Sequence, residues 1–455
     1  MHTDCRICIL SIYAIIIAFM IIDFSVSNFR SFREKQTISF LATTDTHLEE
    51  TYVVQRGKYR LLKAISILGA NAAGKSNVLE AFYTLSELLL KPAKDKTELI
   101  NYRKFALESK FKQEPTVMSL NFLVGEQRFY YEVEFGYKSV YRECLKCHPF
   151  AALREHTVFE RITDPKDRHV KVNWGVKYKG YRNLETLNDN LICNRTVIGT
   201  YQITNVSIPC LNDISTWLQT YWLPKVVTPD SDFKKYITER LYKEEINREI
   251  LTAMLQKADP NIVSLDITQR EYPLSAETVR AYQQLYRCNE LHGRNRFFPT
   301  SRKELEVQIG HQGSEGTVYF PLEHESKGTR HYFELAGLWA LAFAQPHFMA
   351  VDDLSYQLHP DLFRYFIQSF LKNKNDSQLL YTTHNVEFLG DRNSFRDDAV
   401  WLADKGEGHE THLYALSHFG SDTLRAVSSR YNAYRSGRLG GVPKLGSDPI
   451  TKQGM

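Results

Sequence analysis

The 455-residue sequence has no excess of charge, no cysteine framework, no internal repeat and no sustained heptad pattern. Each absence excludes a class. With 57 Lys and Arg against 53 Asp and Glu, the net charge of +4 is too small to name nucleic acid as a partner without a local basic patch. Seven scattered cysteines do not build a secreted disulfide scaffold and fit a reducing, cytoplasmic setting. Without heptads over several turns there is no long coiled coil. The longest apolar run, Ile7 to Ile22, follows Arg6 but falls short of the roughly 20 residues a membrane span needs. It lacks an A-x-A-like cleavage site and merges into Ile21–Phe32, whose alternating apolar residues predict a half-buried strand. The expectation is therefore no membrane anchor, with residues 1–19 an upstream extension and Met20 the natural start. Cys144-Leu-Lys-Cys147-His148 fits a haem-attachment pattern, but it stands alone among strand formers, far from Cys5 and Cys8, and reads as a chance match.

What is present is ordinary globular material, 43% hydrophobic, which supports a sizeable core. Residues 20–140 read as strands with one helix. Ala64–Leu68 is a short buried strand, and Asn77 to Leu90 carries helical periodicity through Val78, Leu79, Phe82, Leu85 and Leu88. Met118–Val124 and Arg128–Phe135 form a predicted hairpin around Gly125-Glu-Gln. Residues 141–300 begin with strand-like pieces and pass into helical stretches, Ser231–Lys257 and Ala276–Glu290, broken at Asp259-Pro260; they read as an inserted, mostly helical domain. Residues 301–430 return to α/β character, with buried strands at His347–Val351 and Gln378–Thr382. Residues 431–455, rich in Gly, Pro and Arg, read as an extended basic tail.

The chemistry concentrates at Gly69-Ala-Asn71-Ala-Ala-Gly74-Lys75-Ser76. This is a complete G-x-x-x-x-G-K-[ST] motif with a buried strand before it and a helix after it. The glycines let backbone N–H groups wrap phosphates, and the helix N-terminus adds positive potential. In that arrangement Lys75 reaches the β and γ phosphates of ATP, and Ser76 ligates Mg²⁺. Downstream, His347-Phe-Met-Ala-Val-Asp352-Asp353 is an apolar strand ending in two acids: Asp352 as a Mg²⁺ ligand, Asp353 as the group that orients the attacking water. Thr382-Thr-His384-Asn385 ends a second buried strand, where the histidine can hydrogen-bond the γ-phosphate. Ser326-Lys-Gly328-Thr329 opens a helical run from Tyr332 to Phe343, a second anion-binding helix start.

The ordered set Gly69–Ser76, Ser326–Thr329, Asp352-Asp353 with Leu358-His-Pro360, and Thr382–Asn385 resembles the ABC-type ATPase heads of the SMC/RecF/OLD group. More closely, it is similar to the stand-alone AAA15-type ATPases of bacterial defence, the RloA/AbiL-like family. Asp23–Phe32 resembles that family's first strand and Tyr434–Pro443 its C-terminal motif. The resemblance implies an α/β P-loop NTPase of ABC/SMC-head type and a head-to-head homodimer. In that dimer Ser326 and Gly328 of one subunit touch the γ-phosphate held by Lys75 of the other. It also implies an anti-phage, abortive-infection role beside a separately encoded effector, a nuclease or toxin. Two departures stand out. Asp353 occupies the position of the family's usual Glu, one methylene shorter, so hydrolysis is expected to be slow. And only about 70 residues follow Asn385, too few for the Toprim nuclease domain of OLD nucleases. The glutamine-loop position falls near Glu114-Pro115.

Competing readings are a RecF-like DNA-binding repair ATPase and a non-hydrolysing ATP-gated sensor. The first draws on Arg430, Arg435, Arg438 and Lys444, interleaved with Tyr431 and Tyr434, as a segment for nucleic-acid phosphates. Four charges are few for tight binding, which favours a tail that docks on the head or stays solvated.

Overall fold

The computed structural model describes residues 19–223, 233–287, 301–391, 393–419 and 429–443. The chain divides into two compact units. The first comprises Met1–Val226, Pro346–Ala350 and Asp376–Met455; the second comprises Val227–Gln345 and Val351–Asn375.

The first unit holds two main sheets. One is antiparallel and seven-stranded, ordered β10 (Val170–Trp174), β9 (His156–Thr163), β8 (Val140–Pro149), β7 (Gln127–Phe135), β6 (Thr116–Val124), β1 (Phe19–Ser27), β2 (Gln36–Ser39). The β6/β7 hairpin closes with Val124 opposite Gln127, so its turn is Gly125-Glu126, with Gly125 at φ +57°. The other sheet runs β14 (Phe348–Val351), β15 (Gln378–Thr382), β5 (Ala64–Leu68), β16 (Val400–Lys405), β17 (Thr411–Ala415). β15 and β16 flank β5 in parallel, and β17 returns antiparallel to β16. Every residue of β5 and β15 is buried, which explains their unbroken apolar runs: a central parallel strand is covered on both faces. A small hairpin, β3 (Val53–Arg56) with β4 (Tyr59–Leu62), stands beside them.

Helices α1 (Glu49–Tyr52), α2 (Lys75–Leu90), α3 (Leu184–Asn190), α4 (Val197–Tyr201) and α5 (Pro209–Thr220) belong to this unit. The apolar face of α2 enters an aromatic core: the Phe82 ring lies 4.1 Å from Phe24, 5.1 Å from Phe348 and 6.0 Å from Trp222. That packing fixes the helix whose N-terminus carries Lys75.

The second unit contains α6 (Phe233–Tyr242), α7 (Arg248–Ala258), α8 (Ala276–Arg287), α9 (Lys327–Ala344) and α10 (Pro360–Lys372), with the antiparallel sheet β11 (Ile262–Pro273), β12 (Ser301–Gly313), β13 (Gly316–Pro321). α6 crosses α9 at Gly337, where a Cβ would come within 2.6 Å of Ile237. Only the missing side chain permits that approach.

The structure draws the divisions elsewhere than at residues 140 and 300. The strands after residue 140 extend the first unit's sheet, because β8 pairs with β7 along nearly its whole length. The second unit is mixed rather than mostly helical, since β11 pairs with β12 from Ile262 to Pro273. Alternation identifies a strand but does not say which sheet it joins. The Ser231–Lys257 stretch is two helices rather than one: Asn247 caps α7, its Oδ1 accepting from Ile250 N at 3.0 Å. The predicted extended tail is also corrected. Residues 430–435 form a helix, α11 (Arg430–Arg435), and residues 436–443 are held by hydrogen bonds from Tyr414 and Tyr434 to Leu439 and Gly441. Residues 1–18, Lys444 and the rest of the C-terminal end lie outside the described residues, as do Cys5 and Cys8.

Candidate functional site

The site is built where β5 stops and α2 starts. Gly69 leaves the strand at φ +154°, and a Cβ there would sit 2.4 Å from Ala403 O. Gly74, at φ +101°, is the residue from which α2 springs; a Cβ there would sit 2.1 Å from Thr411 Oγ1 and 2.8 Å from Ser31 Oγ. Both motif glycines are thus required by space as well as by backbone angle. Lys75, only 6% exposed, donates from Nζ to Gly69 O at 2.9 Å and Ala70 O at 3.0 Å. The ammonium is therefore held over the loop rather than in solvent. Ser76 and Asn77 follow in the first turn of the helix.

Three residues that the motif does not contain hold the loop. Thr411 Oγ1 donates to Ala73 O at 2.8 Å and lies 2.7 Å from Ser31 Oγ. Asn77 Nδ2 donates to the same Ser31 oxygen at 2.7 Å. Ser31 sits in the Asn28–Phe32 turn, where Asn28 (φ +49°) and Arg30 (φ +48°) are left-handed. Asn28 Nδ2 donates to Phe111 O and Glu114 O at 2.8 and 2.9 Å, and Oδ1 accepts from Phe105 N. The Glu114-Pro115 segment is in this way anchored to the turn that braces the loop. We expect Gly74→Ala to cost about 1–3 kcal/mol of stability, through the left-handed backbone and the clash with hydrogen-bonded Thr411. Chemical denaturation read by fluorescence checks this.

A cleft of about 1110 Å³ opens over the loop. Gly69, Ala70, Asn71 and Ala73 line one side together with His384. His384 arrives there because β15 pairs with β5 in parallel, Thr382 opposite Ile67, so both strands deliver their C-terminal ends to the same edge. It is exposed to the cleft. Asn385 N donates to Thr383 Oγ1 at 3.1 Å, shaping the turn that presents it. The cleft's remaining walls come from the β16–β17 hairpin and from the C-terminal residues Tyr434–Gly437 and Val442–Pro443.

Asp352 and Asp353 follow β14 directly along the chain and are assigned to the second unit, as are Ser326 and Gly328. Ser326 caps α9, its Oγ accepting from Thr329 N at 3.0 Å. Asp353 is left-handed at φ +48°, opening a tight turn in which its carbonyl accepts from Tyr356 N at 2.8 Å. Gly328 approaches that turn: a Cβ would lie 2.9 Å from Gln357 O. The structure therefore brings the Ser326–Gly328 helix start and the Asp353 turn together. His331, buried on α9, packs edge-on to Tyr356 at 6.0 Å. Burial holds its pKa below the ordinary imidazole value, partly offset by the Leu354 backbone and then by the Asp353 carboxylate.

Cys144 and Cys147 lie within β8, both buried, and burial pushes their thiols up to about 11 and about 12. They are core thiols. Among the described residues no group of three or more His, Cys, Asp or Glu could hold a metal, and no helix is long and apolar enough to cross a membrane.

Residues 231–390 match the family model described as "AAA domain, putative AbiEii toxin, Type IV TA system", roughly a third of the chain. The match takes in Ser326, Asp352, Asp353 and His384 but stops short of the phosphate loop. No curated protein matches in sequence. Among solved structures, an SMC head bound to the C-winged helix domain of ScpA is 12% identical at TM-score 0.39, covering 87% of this chain and 97% of that one. The SMC head domain from Thermotoga maritima is 13% identical at TM-score 0.36, covering 87% and 98%. The fold class rests on the chain's own geometry: an α/β protein with a phosphate loop between a central parallel strand and its following helix.

Proposed function

We propose that this chain is an ATP-binding and ATP-hydrolysing head of the ABC/SMC type. The observation that carries this reading is the loop itself: two glycines that admit no Cβ, and a buried lysine ammonium held over them at a helix N-terminus. Those residues fit a nucleotide triphosphate. Gly69, Asn71, Gly74 and Lys75 would cradle its phosphates, and Ser76 with Asp352 would hold Mg²⁺. The metal, when bound, supplies positive charge against the phosphate oxygens. Asp353 would be the carboxylate that orients and polarises the attacking water, and His384 would donate a hydrogen bond to the terminal phosphate. Ser326 and Gly328 belong to a homodimer arrangement in which each subunit's α9 start meets the nucleotide held by its partner.

We further propose that the ATPase regulates a separately encoded effector, a nuclease or toxin, in a bacterial anti-phage (abortive infection) system. Two things support it: the ordered motif set, and a family description that names a toxin and a toxin–antitoxin system. A cytoplasmic setting fits the seven scattered cysteines. The RecF-like alternative draws less support, because Arg430 of the basic segment is committed to an ion pair with Asp397 at 2.5 Å. Co-expression with the adjacent gene, with and without Lys75→Ala, tests the defence role. Effector-dependent growth arrest on phage challenge that requires Lys75 supports it; arrest indifferent to Lys75 refutes it.

A further inference from the structure

The far wall of the cleft is built by the C-terminal segment, which is fastened at several points. Ser429 caps α11, its Oγ accepting from Asn432 N at 3.2 Å, and Arg430 pairs with Asp397. Tyr434 Oη donates to Gly441 O at 2.7 Å, and Tyr414 Oη donates to Leu439 O at 2.9 Å. Gly440 and Gly441, at φ +67° and +68°, turn the chain back against the loop. A Cβ on Gly441 would lie 3.6 Å from Gly69 Cα, so the segment runs close beside the first glycine of the motif.

This anchoring leaves Arg435 on the cleft wall. Its guanidinium is exposed, donates to Tyr431 Oη at 3.2 Å and rests 5.8 Å from the Tyr431 ring centre. That partner is uncharged and takes one of five donors. The cleft's other fixed charges outside the loop are Asp404, Lys405 and Glu407, which sum to one negative charge. Arg435 offsets that negative charge for an anion entering there.

We propose that Arg435 binds the terminal phosphate of ATP from the C-terminal side, making the segment 430–443 an arm of the nucleotide site that distinguishes ATP from ADP. The assignment to the terminal phosphate rests on the role proposed for His384, which lines the same cleft as Arg435 and Asn71. A guanidinium matches phosphate oxygens in a bidentate fork that an ammonium cannot reproduce. The proposal rests on the cleft being an ATP site.

The test is calorimetric titration of the full chain with ATP and with ADP, in Mg²⁺, for the unmodified protein and for Arg435→Ala, Arg435→Lys and Lys75→Ala. Arg435→Ala is expected to weaken ATP about tenfold, the loss of one charge-assisted interaction, and ADP by less than about twofold. Arg435→Lys should recover part of the loss. Because Arg435 is exposed, an unchanged melting midpoint should accompany the effect. ATP affinity unaltered in Arg435→Ala, or an equal loss for both nucleotides, overturns the proposal. Lys75→Ala separates the two levels: if it too leaves ATP affinity unaltered, the ATP-site reading fails, whereas loss in Lys75→Ala alone removes only the role of Arg435.

Discussion

Lys75→Ala abolishes ATP binding, raising the dissociation constant by about 100-fold or more in equilibrium titration. The magnitude follows from position. Charge-assisted hydrogen bonds are worth roughly 1.5–3 kcal/mol each, and a lysine bridging two phosphates makes at least two. Its ammonium is already desolvated, held by Gly69 O and Ala70 O, so little ordering remains when a phosphate arrives. Alanine removes the charge and leaves those two carbonyl dipoles facing the incoming anion. The fold should survive, because alanine is the best helix former and α2 is fixed by Phe82 and its aromatic neighbours, well away from the substitution. A circular dichroism melt confirms that the loss is local.

Asp353→Asn keeps ATP binding within about twofold and lowers turnover by roughly 10² to 10⁴, the usual contribution of a positioned general base. Asparagine is the appropriate replacement. Asp353 is left-handed at φ +48°, a conformation that Asn adopts more readily than Ala, so the turn to Tyr356 is kept while the proton acceptor is lost. Asp353→Ala should share the catalytic defect with an added stability cost. If either variant hydrolyses ATP at the unmodified rate, Asp353 is not the catalytic base. The short side chain also implies slow basal turnover, since Asp reaches one methylene less far than the Glu common in the family it resembles.

Much of this site was legible in the sequence because it is local. The phosphate loop needs only an apolar strand before it, glycines at fixed offsets and a helix after it, and the structure places them at Ala64–Leu68, Gly69, Gly74 and Lys75–Leu90. The same holds for Ser326, whose role as a helix cap is set by the three residues that follow. What stayed hidden depends on long-range pairing. Nothing near Ser31 says that its hydroxyl will meet Thr411, which is 380 positions away. A Gly-rich, Arg-rich end reads equally as docked or as solvated chain; for residues 436–443 the choice depends on two tyrosine hydroxyls finding the carbonyls of Leu439 and Gly441. Likewise, β8 alternates like any strand, and only its partner β7 reveals that the sheet continues past residue 140. The one local signal passed over was the tight Asn28–Phe32 turn, whose Asn and Ser are residues that organise turns through their side chains.

The most direct test of the account is steady-state phosphate release from Mg²⁺-ATP by the purified chain, measured beside Lys75→Ala, with and without double-stranded DNA. The expected result is slow turnover that disappears in Lys75→Ala and does not depend on DNA. Turnover that persists in Lys75→Ala would contradict it, as would a chain that neither binds nor hydrolyses ATP.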